Sequence, residues 1–174
     1  MASPKKFDIS VGDVLSIDPG TAFCGAALWR DGKLIATKTL TSEGYSVTVS
    51  ERLRAISAQL KAFLHLYEAH VTCVITENPP HTLLKATLGA ILVTEGVFSM
   101  FNDSSCLSPA EWKSWAKKRG ASGEFGLIKG AAALSSTGFP VPPGASDDVC
   151  DAIMVYLAFR DKYGTHKAAR RSKR

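Results

Sequence analysis

Asp18, Glu77, Asp148 and Asp151 are the residues of this sequence whose types and places could do chemistry. Asp18 closes the apolar run Val14-Leu15-Ser16-Ile17 and precedes Pro19-Gly20, so it falls on the last residue of a strand, at the turn. Glu77 repeats the pattern: Val71 to Thr76 is a short, β-branched run typical of a strand buried on both faces, and Asn78-Pro79-Pro80 turns the chain after it. Asp148 and Asp151 are three apart, hence on one face of a helix whose continuation to Phe159 is nearly all apolar. Asp147 or Asp148 alone is an ordinary cap or first-turn charge. Asp151 is different, because a carboxylate in the second turn of a buried helix is costly to desolvate without partners. Four carboxylates in one place repel unless cations neutralise them. Oxygen-only donors suit hard Mg²⁺ or Mn²⁺, and two such ions about 4 Å apart suit in-line hydrolysis of a phosphodiester.

The elements between these residues must bring them together. Cys24 to Trp29 predicts a second strand, and Arg30-Asp31-Gly32 a hairpin turn into a third from Leu34 to Leu40. Leu53, Ile56, Leu60, Phe63, Leu64 and Tyr67 recur at helical spacing, with Ser50 as the expected cap. Residues 82–101 read as one long helix, apolar more than halfway round, which a two-fold partner or the interior of a monomer could cover. Ser105-Cys106-Leu107 gives a short fifth strand, and Ser108-Pro109 starts a helix that ends at Gly120. That helix carries Lys113, Lys117, Lys118 and Arg119 interleaved with Trp112 and Trp115, residues suited either to a phosphate backbone or, for the tryptophans, to the core. A small-residue helix from Leu127 to Leu134 carries Lys129, a possible phosphate contact, and the last helix starts at Ser146. If the strands ending at Asp18 and Glu77 are neighbours, both carboxylates reach one sheet edge, where open α/β sheets hold their ligands.

With 174 residues, 45% of them hydrophobic and 21% charged, the chain is about one domain long and can bury a sizeable core. Its four cysteines form no Cys-x-x-Cys pair, no apolar segment follows the polar start, and no apolar run is long enough for a membrane span. The expectation is a soluble, cytoplasmic protein with reduced thiols. Net charge is +5, but seven Lys and Arg lie between Arg160 and Arg174 against Asp161 alone, which leaves the remainder close to neutral. Such a block is a solvated tail or an arm for a polyanion, with Arg170 and Arg171 as candidate contacts.

Ile17-Asp18-Pro19-Gly20-Thr21 with Gly25 after it, Ile75-Thr76-Glu77, and Asp148-Val149-Cys150-Asp151-Ala152 together resemble the RuvC-type Holliday-junction resolvases of the RNase-H-like nuclease superfamily. The resemblance spans about Val14 to Phe159. It implies an α/β, RNase-H-like fold, a five-stranded mixed sheet flanked by helices, with the resolvase domain over 13–160; the residues themselves set apart a lead-in over 1–12, which has no sustained period, and a basic C-terminal tail over 161–174, about which the resemblance implies nothing. It also implies that Asp18, Glu77, Asp148 and Asp151 are catalytic and bind Mg²⁺, with Mn²⁺ a possible substitute, two ions per active site. The protein so implied is a homodimer, paired through the 82–101 helix, that cuts opposed strands of a four-way DNA junction. The chain departs from the family pattern at Asn78-Pro79-Pro80-His81, where bacterial members carry an aromatic residue that helps open the junction. Three other readings share these features: a nuclease for other branched DNA or structured RNA, a non-catalytic nucleic-acid-binding module, and a sugar-kinase or actin-like ATPase. The last needs two such domains, and the length serves one.

Overall fold

The computed structural model describes residues 12–20, 22–42, 48–77, 100–101, 104–122 and 128–164. Five strands form one sheet: β1 (Asp13–Asp18), β2 (Phe23–Arg30), β3 (Lys33–Thr41), β4 (Val71–Glu77) and β5 (Ser104–Leu107), in the order β3-β2-β1-β4-β5. The first three are antiparallel neighbours, and β4 and β5 run parallel to β1. The turn between β2 and β3 places Asp31 and Gly32 at φ of 52° and 73°, the doubly left-handed turn that matches the twist of a two-residue hairpin.

Alternation along the strands sorts the side chains into two cores. Leu15, Ile17, Leu28 and Val74 point to one face, where they meet Ile56, Leu60 and Phe63 of α1 (Val49–Leu66). Val14, Ala27, Trp29, Cys73 and Ile75 point to the other, against α4 (Asp147–Tyr163). Helix α4 is buried nearly all round because α2 (Pro109–Lys117) and α3 (Gly130–Ser136) cover its far side. Its Tyr156 stacks on Trp29 with ring centroids 3.8 Å apart, and the Trp29 indole donates to Ser16 Oγ at 2.9 Å.

Two helix starts differ from the sequence expectation. The cap of α1 is Thr48, not Ser50: Thr48 Oγ1 accepts the Glu51 N–H while the Glu51 carboxylate accepts the Thr48 N–H, the reciprocal box that Thr48-x-x-Glu51 spacing allows. Helix α3 begins at Gly130, three residues after Leu127, because Gly130 stands at φ of 73°. The expected 82–101 helix lies outside the described residues except for its last two, as do 78–81 and the tail from 165. Among the described residues no helix is long and apolar enough to cross a membrane.

Asp13 anchors the start of β1. It is 3% exposed and accepts from Arg30 Nε at 2.7 Å, Arg30 Nη2 at 2.9 Å and the His70 N–H at 2.9 Å. Asp13→Ala is therefore expected to cost about 2–3 kcal/mol, since it removes charge-assisted bonds but leaves an Arg30 that water can reach. The Arg30 guanidinium holds the Asp13 carboxyl below the usual carboxylate range. The folded state thus keeps Asp13 ionised where the unfolded chain would protonate it, so this contribution is complete above about pH 4 and fades as pH falls below it. Denaturant titrations of both proteins at pH 7 and pH 3 should show the difference shrinking at the lower pH.

Candidate active site

The two strand-end carboxylates come together as the sequence predicts. In the parallel pairing Ile17 lies opposite Thr76, so Asp18 and Glu77 follow side by side at the ends of β1 and β4. By alternation each continues the row that faces α4, Asp18 after Val14 and Ser16, Glu77 after Cys73 and Ile75.

The start of α4 is docked against the same end of the sheet. Asp18 is paired with Gly25 on β2, and Gly25 with Thr39 on β3. Helix α4 sits on that row: a Cβ built on Gly25 would fall 1.9 Å from the Asp148 carbonyl oxygen, and Thr39 Oγ1 is 2.8 Å from the hydroxyl of the cap residue Ser146. Only a glycine lets the helix backbone come this close. The capped first turns of α4 consequently deliver Asp148 and Asp151 toward Asp18.

Electrostatics register the convergence. The Asp18 carboxyl is pushed up to about 8, chiefly by loss of water and then by the charges of Asp151, Glu77 and Asp148. Asp151 is raised to about 7, again mainly by desolvation, against which the Gly130 N–H donates to its Oδ1 at 2.7 Å. Glu77 is raised by desolvation and held back by the Trp112 indole and by Lys113. The neighbouring Asp147 is exposed and turned to α3, where it accepts from the Ala131 N–H at 3.4 Å. Of this pair, Asp148 acts on Asp18, while the charge of Asp147 acts on Asp151.

The basic residues separate. Lys113 is the cation whose charge reaches Asp18, Glu77 and Asp151. Lys129 is exposed and immediately precedes Gly130, which holds Asp151. Lys117 and Lys118 are exposed near the end of α2. Arg119 is engaged elsewhere, donating to Asp161 at 2.7 Å and lying over the Trp115 ring. Arg170 and Arg171 lie outside the described residues.

Sequence reasoning missed two partners: Trp112, whose indole donates to Glu77, and Gly130, whose backbone holds Asp151. A tryptophan one residue after the capping glutamate of a helix that follows the strand beside β4 was the available signal for the first.

Among the described residues no three His, Cys, Asp or Glu side chains form a ready cage for a metal ion. The donor chemistry fits a hard dication all the same, because the converging groups are oxygen donors that are crowded, desolvated and short of positive charge.

No protein-family model matches the chain, and no curated protein matches it in sequence. Solved structures match in shape. RuvC of T. thermophilus in complex with a Holliday junction substrate superposes with a TM-score of 0.58 at 19% identity, over 88% of this chain and 97% of that one. A second structure of Thermus thermophilus RuvC gives 0.55 at 20% identity, over 84% and 92%. At these identities the likeness is one of fold, and it makes this chain an RNase-H-like α/β domain, a mixed five-stranded sheet flanked by helices.

Proposed function

We propose that the protein is a structure-selective endonuclease that resolves four-way DNA junctions by paired, symmetric, metal-dependent nicks. The observation that carries this reading is the meeting of Asp18, Glu77 and Asp151, with Asp148 beside them, at one end of a sheet whose fold matches a RuvC bound to a junction. Asp18, Glu77, Asp148 and Asp151 would hold Mg²⁺, or Mn²⁺ in its place, two ions per site, and the bound metal supplies an activated water and neutralises charge at the scissile phosphate.

The chain's own residues supply binding and orientation. Lys113, whose charge reaches the carboxylates, and Lys129, next to Gly130, would steady phosphates at the site, with Lys117, Lys118, Arg119, Arg170 and Arg171 extending the basic surface. Binding that rests on phosphate contacts falls steeply with salt. The carboxylate cluster in turn repels the DNA backbone, and Lys113 sets a positive charge against that repulsion. Cutting two opposed strands needs two sites set apart, hence a homodimer, for which the 82–101 segment is the candidate contact.

The deciding experiment offers the purified protein a synthetic immobile four-way junction, a Y-fork and a linear duplex, with and without Mg²⁺. Paired symmetric nicks in the junction alone, and only with Mg²⁺, are expected. Equal cutting of all three would make it a general branched-substrate nuclease, and binding without cutting would leave a nucleic-acid-binding module.

A further inference from the structure

Trp112 is 1% exposed, and its indole N–H donates to Glu77 Oε2 at 2.5 Å. An indole N–H is a donor with no acceptor capacity, and once buried it needs a partner. The ring also carries a charge above it, since Lys113 Nζ stands 5.1 Å from its centroid. Helix α2 cannot swing freely to relax these contacts. Its capping residue Glu111 accepts from the Ser108 N–H at 2.9 Å and, on its other oxygen, from Lys162 Nζ at 2.6 Å and the Tyr163 hydroxyl at 2.9 Å, which ties the start of α2 to the end of α4. One rigid indole therefore meets both a candidate metal ligand and the cation that acts on the cluster.

We propose that Trp112 is a positioning residue for Glu77: by engaging Oε2 it disfavours bidentate binding of a cation by Glu77, and so favours Mg²⁺ over Ca²⁺. The inference rests on the reading of the carboxylates as a divalent-metal site. Mg²⁺ is small, keeps several waters and takes carboxylates one oxygen at a time, whereas Ca²⁺ accepts both oxygens of one carboxylate. Freeing Oε2 removes that restriction. Partners that orient a ligand in this way typically change metal affinity about 10–100-fold.

The test measures Mg²⁺ and Ca²⁺ binding by calorimetry for the full chain, Trp112→Phe, Glu77→Gln and the double variant, each checked for folding by thermal melting. Trp112→Phe is expected to weaken Mg²⁺ binding about 10–100-fold and Ca²⁺ binding much less, and to have no further effect once Glu77 is glutamine. Equal weakening of both ions, or an effect that persists in the Glu77→Gln background, would show that Trp112 merely packs. Should Trp112→Phe fail to fold, the wild type provides a second readout in the ¹⁵N–¹H resonances of its three indoles. Mg²⁺ should shift the Trp112 signal, identified as the one that moves in Glu77→Gln, and leave those of Trp29 and Trp115 in place; Mg²⁺ saturation with that signal unmoved overturns the proposal. A wild type that binds no Mg²⁺ at all overturns the metal-site reading itself, and this inference with it.

Discussion

Asp18→Asn should lose roughly a thousandfold or more of the cleavage rate and yet melt above the wild type in metal-free buffer. The two effects have one cause. Asp18 lies where water is scarce and three other carboxylates converge, so its ionisation is opposed, and its carboxyl rises to about 8. In the unfolded chain it titrates near its ordinary value of 3.8. Between those values the folded protein holds a proton that the unfolded chain has released. Stability therefore falls as pH rises from about 4 to about 8, by an amount on the order of 4 kcal/mol at pH 7. Asparagine has nothing to ionise. Allowing for an imperfect fit of the amide, a gain of about 1–3 kcal/mol, or roughly 3–10 °C in melting temperature, is expected. The variant should also show a flatter pH profile, though not a level one, because Asp151 is itself raised to about 7. Added Mg²⁺ should stabilise the wild type by binding the folded state alone and should stabilise Asp18→Asn much less. Melting curves at pH 5, 6, 7 and 8, with and without Mg²⁺, provide the check. A variant that melts below the wild type at every pH would mean that the carboxylate is well accommodated without a cation, contrary to its proposed role.

What the sequence revealed of this arrangement, and what it hid, follows from how local each signal is. The strand ends at Asp18 and Glu77 are marked by neighbours within a few residues, apolar alternation before and a proline turn after. Asp148 and Asp151 share a face by helical geometry alone. The contacts that hold these side chains leave no such trace. Trp112 and Glu77 are 35 residues apart, Gly130 and Asp151 are 21 apart, and Thr39 and Ser146 are 107 apart. Each is a product of packing. The basic residues of α2 and the turn after it illustrate the same limit. Lys113 lies inside α2, whereas Arg119 follows its last residue, Lys117, in the turn that leads to Gly120. One reaches the carboxylates and the other pairs with Asp161. Composition treated them alike, and only the orientation of α2 against the sheet told them apart.

Gly25→Ala should cost about a hundredfold or more in cleavage although Gly25 supplies no ligand of its own. The added Cβ would lie 1.9 Å from the Asp148 carbonyl oxygen, 2.2 Å from its carbon and 2.6 Å from the Val149 nitrogen. All three are backbone atoms, so no rotamer change relieves the clash. The start of α4 must retreat by roughly 1–2 Å to reach ordinary packing distance. That movement carries Asp148 and Asp151 away from Asp18 and Glu77, which are fixed by the β1–β4 pairing and do not follow. A displacement of about 1 Å in a catalytic constellation is enough for a loss of this size. Overpacking should also lower stability by about 1–3 kcal/mol, and the two consequences must be separated. Gly138→Ala is the control. Its Cβ meets nothing within 4 Å, and it carries only the strain of a side chain at φ of 82°, about 1 kcal/mol. It should lose stability while cleaving at the wild-type rate. Metal-free binding of a four-way junction should change little in Gly25→Ala, since Lys113 and Lys117 belong to α2, and Lys118 caps it, away from the displaced helix end. If Gly25→Ala cuts within a few-fold of the wild type at a temperature where both are folded, the docking of α4 onto the row Asp18–Gly25–Thr39 is not what assembles the site.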